Sequence, residues 1–150
     1  METFTPGRLQ PGPQAATRSK SIERPKALVV DADGASRAFL AEALHSFAPG
    51  FDVATASDPR QAMAWLETFP PDLLLTDLRF GPDGAGALRE RLRADARTGA
   101  CRVVVLSSLP EDDPRVESAR LESDAVLIKP IGLPFLLETV RRVMRRDFSH

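Results

Sequence analysis

Five short apolar runs punctuate this sequence, and a stretch of helical periodicity follows each one. The runs are Lys26-Ala27-Leu28-Val29-Val30, Phe51-Asp52-Val53-Ala54-Thr55, Leu73-Leu74-Leu75, Arg102-Val103-Val104-Val105-Leu106 and Ala125-Val126-Leu127-Ile128. Each is long enough for a strand and too short for a helix. Between them, Phe39, Leu40, Ala43, Leu44 and Phe47 recur at helical spacing over Ser36 to Phe47, and Pro49-Gly50 stops that helix. Ser57-Asp58-Pro59 opens a second helix, with a capping residue before a proline at the first helical position. That helix carries Ala62, Met63, Trp65, Leu66 and Phe69 and ends at Pro70-Pro71. A third is expected from Gly84 to Ala96, with Ala87, Leu88 and Leu92 inward. A fourth, weakly amphipathic, runs from Glu111 to Glu122 on Val116, Ala119 and Leu121. The last starts at Pro134 on Leu137, Val140, Val143 and Met144. Strands that alternate with helices need crossover connections. The fold class expected is therefore α/β, a doubly wound, five-stranded parallel sheet covered on both faces, with right-handed crossovers.

Composition narrows the function. A chain of 150 residues is one domain's worth and can bury a real core. The net charge of −1 carries no message about nucleic acid or membrane, and neither is expected as a partner. One cysteine, Cys101, and two histidines, His45 and His150, rule out a disulfide framework, a cysteine cluster and a histidine-rich metal site. No apolar run approaches a membrane span, and the amino terminus lacks a signal peptide's apolar core, so a cytoplasmic location is expected. Residues 1–25, with Pro6, Pro11, Pro13 and Pro25 and no apolar periodicity, read as a flexible tail; 26–147 are the folded domain and 148–150 a C-terminal tail. After the last helix only Asp147-Phe148-Ser149-His150 follow, and no DNA-binding domain is expected in them. There is neither a P-loop nor a Gly-x-Gly-x-x-Gly after the first strand, so nucleotide binding has no support.

The chemistry gathers at strand ends. In an open parallel sheet, ligands collect outside the carboxyl ends of the strands. Asp31 with Asp33, then Asp77, Ser107 and Lys129 all fall there. Together they supply carboxylates for a divalent cation, a carboxylate free to act as nucleophile, a hydroxyl and an ammonium. That set suits phosphoryl transfer. Mg²⁺ takes a few carboxylate oxygens plus waters and phosphate oxygens, a carboxylate can accept a phosphoryl group covalently, and the hydroxyl and lysine would bind its oxygens.

Val29-Val30-Asp31, Pro71-Asp72-Leu73-Leu74-Leu75-Thr76-Asp77, Val103-Val104-Val105-Leu106-Ser107 and Lys129-Pro130 resemble the receiver domain of two-component response regulators, in order and at the family's spacings. The resemblance covers about residues 25–147 and implies a flavodoxin-like receiver fold that stands alone, as in chemotaxis regulators. It implies Asp77 as phosphoacceptor, Asp31 in the acidic, Mg²⁺-holding pocket with Asp77, Ser107 as the switch hydroxyl and Lys129 as the phosphate-binding lysine. It implies a sensor histidine kinase or phosphotransfer protein as donor, and a protein effector reached through the fourth helix, fifth strand and fifth helix, with a homodimer through the last helices as one such contact. It also implies a cis Lys129–Pro130 bond, which only proline makes accessible. By the same resemblance the chain is a signalling module, not an enzyme, beyond self-catalysed phosphorylation and dephosphorylation. Three departures stand out. The second acidic position after the first strand is Ala32, with Asp33 next to it as a substitute ligand or a helix cap. The switch aromatic of the fifth strand is Val126. The loop after Asp77 is one residue short. These keep a second reading in view, a pseudo-receiver that binds partners without phosphorylation. A third comes from Val29-Val30-Asp31-Ala32-Asp33-Gly34, which is similar to the first motif of haloacid-dehalogenase-type phosphatases, with Asp31 as nucleophile. The acidic pair that should come after the lysine is missing, because only Glu138 and Asp147 lie beyond Lys129.

Overall fold

The structure, a computed structural model, describes residues 24–47, 50–78 and 84–145. Residues 1–23 and 148–150 of the proposed tails and residues 79–83, where the shortened loop falls, lie outside the described residues. Five strands, β1 (Lys26–Val30), β2 (Asp52–Ala56), β3 (Leu73–Asp77), β4 (Arg102–Ser107) and β5 (Ala125–Ile128), alternate with five helices, α1 (Gly34–His45), α2 (Pro59–Leu66), α3 (Gly84–Arg93), α4 (Pro114–Glu122) and α5 (Leu133–Arg145). All pairings are parallel, in the order β2-β1-β3-β4-β5. The expected doubly wound sheet is the one observed.

The period of two along each strand decides which helix covers which face. Ala27, Val29, Leu73, Leu75, Val104 and Leu106 point one way, onto Leu40 and Leu44 of α1 and Leu136, Val140 and Val143 of α5. Leu28, Val30, Leu74, Val103 and Val105 point the other way, onto Ala62 and Leu66 of α2, Leu88 and Leu92 of α3 and Ala119 of α4. Both faces are apolar along β1, β3 and β4, which is why these strands read as unbroken hydrophobic runs.

Three of the five helix starts are set by capping aspartates. Asp33 accepts a hydrogen bond from the Ser36 N–H, Asp58 from Gln61, and Asp113 from Arg115. The last two precede a proline at the first helical position. The fourth helix therefore begins at Pro114, three residues later than its apolar pattern suggests. The third stops at Arg93 rather than Ala96, because the Thr98 hydroxyl takes the Leu92 carbonyl at 2.7 Å and Asp95 turns onto Arg97. After α1 the chain folds back so tightly at Gly50 that a β-carbon there would lie 2.8 Å from the His45 carbonyl oxygen.

Three apolar residues expected inside are not. Leu121 is 81% exposed, and Phe39 and Trp65 sit at the surface, where the Trp65 indole N–H donates to the Thr55 carbonyl. On α5, Leu136 and Thr139 join Val140 and Val143 in the core, while Leu137 and Met144 pack at its margin. The Lys129–Pro130 peptide bond is cis. No helix among the described residues is long and apolar enough to cross a membrane.

Candidate functional site

Parallel strands all point one way, so the carboxyl ends of β1, β3, β4 and β5 meet at one edge of the sheet. Asp31 lies directly after β1, Asp77 ends β3, Ser107 ends β4, and Lys129 lies directly after β5. The backbone locks these ends together. Leu78 N–H donates to the Leu106 carbonyl and Lys129 N–H to the Ser107 carbonyl, each at 2.7 Å, and Asp31 N–H donates to the Ala56 carbonyl at 3.1 Å.

The side chains converge on one atom. Lys129 Nζ donates to Asp31 Oδ2 at 2.8 Å and to Asp77 Oδ2 at 2.9 Å. Asp31 is 1% exposed and Asp77 8%, so both carboxylates are screened little by water. Burial pulls the Lys129 pKa down, but the hydrogen bonds and charges of Asp31 and Asp77 outweigh it, and the ammonium is held above its ordinary value. An ammonium has three N–H donors. Two are used here, which leaves one for an incoming oxygen.

The other expected site residues take different positions. Asp33 is a helix cap: its Oδ2 accepts from Ser36 N–H at 3.0 Å, while its own N–H donates to Asp31 Oδ1. It supports Asp31 and spends its carboxylate on α1. Ser107 is fully buried at the correct strand end, yet its hydroxyl accepts from Leu109 N–H at 2.9 Å and sits in the turn after β4. Ala32 is exposed and brings no oxygen. One contributor escaped the sequence reading. Arg37 of α1 donates to the Asp31 carbonyl at 2.7 Å and lies 3.4 Å from the Ala32 carbonyl.

No group of three His, Cys, Asp or Glu side chains gathers among the described residues as for a metal ion. The pair Asp31 and Asp77 remains. Mg²⁺ is commonly held by one or two carboxylates with water and phosphate oxygens completing the shell, so the donor set fits this ion with few protein ligands.

Residues 27–141 match the response regulator receiver domain family. The chain belongs to that family. It is 29% identical over 122 residues to the DNA-binding dual master transcriptional regulator of Synechocystis sp., across 81% of this chain and 50% of that protein. It is 32% identical over 119 residues to the KDP operon transcriptional regulatory protein of Escherichia coli, across 79% of this chain and 51% of that one. The receiver thus spans about half the length of the curated relatives it matches. Among solved structures, a response regulator receiver protein of Pseudomonas putida superposes with a TM-score of 0.64 at 31% identity, covering 79% of this chain and 97% of that one. A chemotaxis response regulator of Vibrio cholerae gives 0.66 at 23%, covering 80% and 98%, and shares the fold. A receiver of two-component signalling is thereby shown.

Proposed function

We propose that this receiver accepts a phosphoryl group on Asp77. The observation that carries the reading is the single ammonium of Lys129 bonded to one oxygen each of Asp31 and Asp77. It holds the nucleophilic carboxylate in place and offsets charge where the phosphoryl oxygens would arrive. In the transfer, an Asp77 oxygen attacks phosphorus, the bond from phosphorus to the donor breaks, and the leaving group keeps that electron pair. For a kinase or phosphotransfer histidine, the bond broken is P–N and the imidazole takes up a proton. Lys129 turns its remaining N–H to a phosphoryl oxygen. The Ser107 hydroxyl, one short turn away, reaches another by leaving Leu109. Asp31 and Asp77 would hold Mg²⁺, which supplies neutralisation of charge on the transferring group. The activated state signals by protein contact, with α4, β5 and α5 as the face that changes and a homodimer through it as one outcome.

Among the described residues only Asp31 and Asp77 offer carboxylates at the metal position, because Ala32 carries a methyl group and Asp33 caps α1, and weak Mg²⁺ binding is expected. Incubation with a small phosphodonor and Mg²⁺, followed by intact-mass measurement, tests the proposal. One phosphoryl group should be gained slowly, at a high Mg²⁺ requirement. Asp77→Asn should abolish the gain, and Ala32→Asp should lower the Mg²⁺ needed. Labelling of Asp31 instead would favour the phosphatase reading. No labelling of the wild type, with labelling of Ala32→Asp, would mark a pseudo-receiver.

A further inference from the structure

The loop that carries Asp31 is held from two sides. From inside the site, Lys129 Nζ takes Asp31 Oδ2 and the Asp33 N–H takes Asp31 Oδ1. From outside, Arg37 folds its guanidinium back over the start of α1. One terminal nitrogen donates to the carbonyl of Asp31 at 2.7 Å and approaches that of Ala32. The other lies 3.6 Å from where a β-carbon on Gly34 would be. A permanent cation therefore rests on the backbone of the very position that lacks its acid.

An arginine here is electrostatically out of place. The first turn of a helix carries partial positive charge and favours acids, yet α1 has no acid in its first turn. What repays the misplacement is the pair of carbonyl oxygens, which belong to the pocket and not to the helix. Lys129 bonds the carboxylates of Asp31 and Asp77, and Arg37 adds a second cation on the backbone beside them.

We propose that Arg37 is a resident cation of the acidic pocket that sets its affinity for divalent ions, together with Ala32. This rests on the reading of Asp31 and Asp77 as the carboxylates that hold the ion. Arg37 bonds carbonyl oxygens, so it does not take the ion's ligands. It acts through space, by like-charge repulsion. A unit charge within about a Debye length of a dication lowers affinity roughly three- to tenfold at low ionic strength. With this cation in place the site stays largely ion-free at low Mg²⁺, and a receiver so built responds to its donor only where Mg²⁺ is plentiful.

The test uses the full chain without a phosphodonor, with Mn²⁺ binding followed by electron paramagnetic resonance and Mg²⁺ by calorimetry. Arg37→Gln removes the charge and keeps a donor; Arg37→Met fills similar volume with no charge; Arg37→Lys keeps the charge. At low ionic strength the first two should tighten Mn²⁺ binding roughly three- to tenfold and the third should leave it within about twofold. The gain should shrink in about 0.5 M KCl. Asp77→Asn added to Arg37→Gln should remove it, which locates the ion. If Arg37 only held the loop in shape, loss of the fork would weaken binding, and that result overturns the proposal, as does an unchanged constant in either folded variant. Mn²⁺ bound by the wild type but no tighter by Arg37→Gln sinks this inference alone. No binding by either protein sinks the metal reading with it.

Discussion

Lys129→Met removes the one ammonium that separates two buried carboxylates. Both carboxylate oxygens touch the same nitrogen in the wild type, so they lie within about 6 Å of each other and would repel by about 3 kcal/mol at an effective dielectric of about 20. Removing one partner of a buried ion pair costs about 3–5 kcal/mol. A ceiling also applies. The pair escapes by binding one proton, which at pH 7 costs about 1.4 kcal/mol for each unit above a carboxyl pKa near 4, or about 4 kcal/mol in all. The expected loss is therefore about 3–4 kcal/mol at pH 7. By pH 5 the proton is easier to bind and the loss should fall to about 1.5 kcal/mol. The sign is set by the folded variant, which holds a proton that the unfolded carboxylates lack, so its stability rises relative to wild type as pH falls from 7 to 5. Urea unfolding at both pH values, read by fluorescence of the single tryptophan, Trp65, and by far-ultraviolet circular dichroism, measures it. Adding Asp77→Asn should recover most of the loss. A cost under about 1 kcal/mol at pH 7, or one that does not shrink at pH 5, would refute the claim that Lys129 is what the two carboxylates depend on.

Two further perturbations test the core. Thr139 is 1% exposed and its hydroxyl has no hydrogen-bond partner; Thr139→Val keeps the shape and removes the unpaired group, so thermal and urea unfolding should show a gain of about 1 kcal/mol, and a loss of that size would mean the hydroxyl is satisfied. Burial pushes the Cys101 thiol up to about 12, so the folded state keeps a proton that the unfolded thiol loses above about 9. Stability should then fall by about 1.4 kcal/mol between pH 8 and 10. The chain has no tyrosine to titrate in that window, and the Lys129 contribution is lost only above its own, higher range. A slope unchanged in Cys101→Ala would assign the effect elsewhere.

Most of the fold was legible because two periodicities never overlap: the strands are short, three of them apolar on both faces, and two of the five helices carry Asp-Pro starts. The same chemistry shows where reading stopped short. Asp113-Pro114 repeats the signal of Asp58-Pro59, yet the apolar pattern drew the start of α4 back to Glu111. Leu121, Phe39 and Trp65 obey helical spacing and still face outward, since spacing names a stripe and not what covers it. At the site, Asp31, Asp77 and Lys129 could be placed because parallel strands deliver their ends to one edge. That Ser107 turns to Leu109 and Asp33 to Ser36 could not, because both choices are local hydrogen bonds among several open to short polar side chains. Arg37 left one trace, a base in a first helical turn where a base has no electrostatic reason to be.

The edge position of β5 divides the site between two kinds of structure. Asp31 and Asp77 are anchored on β1 and β3, each flanked by strands on both sides, whereas Lys129 extends a four-residue strand paired only with β4. Asp31 and Lys129 are also 98 positions apart in sequence, so their contact carries the closure entropy of a long loop. Local opening is least costly at such a margin. Hydrogen exchange is therefore expected to be slower at β1 and β3, which carry the anionic half of the site, than at β5. Opening at β5 would withdraw the ammonium while the strands carrying Asp31 and Asp77 stay paired.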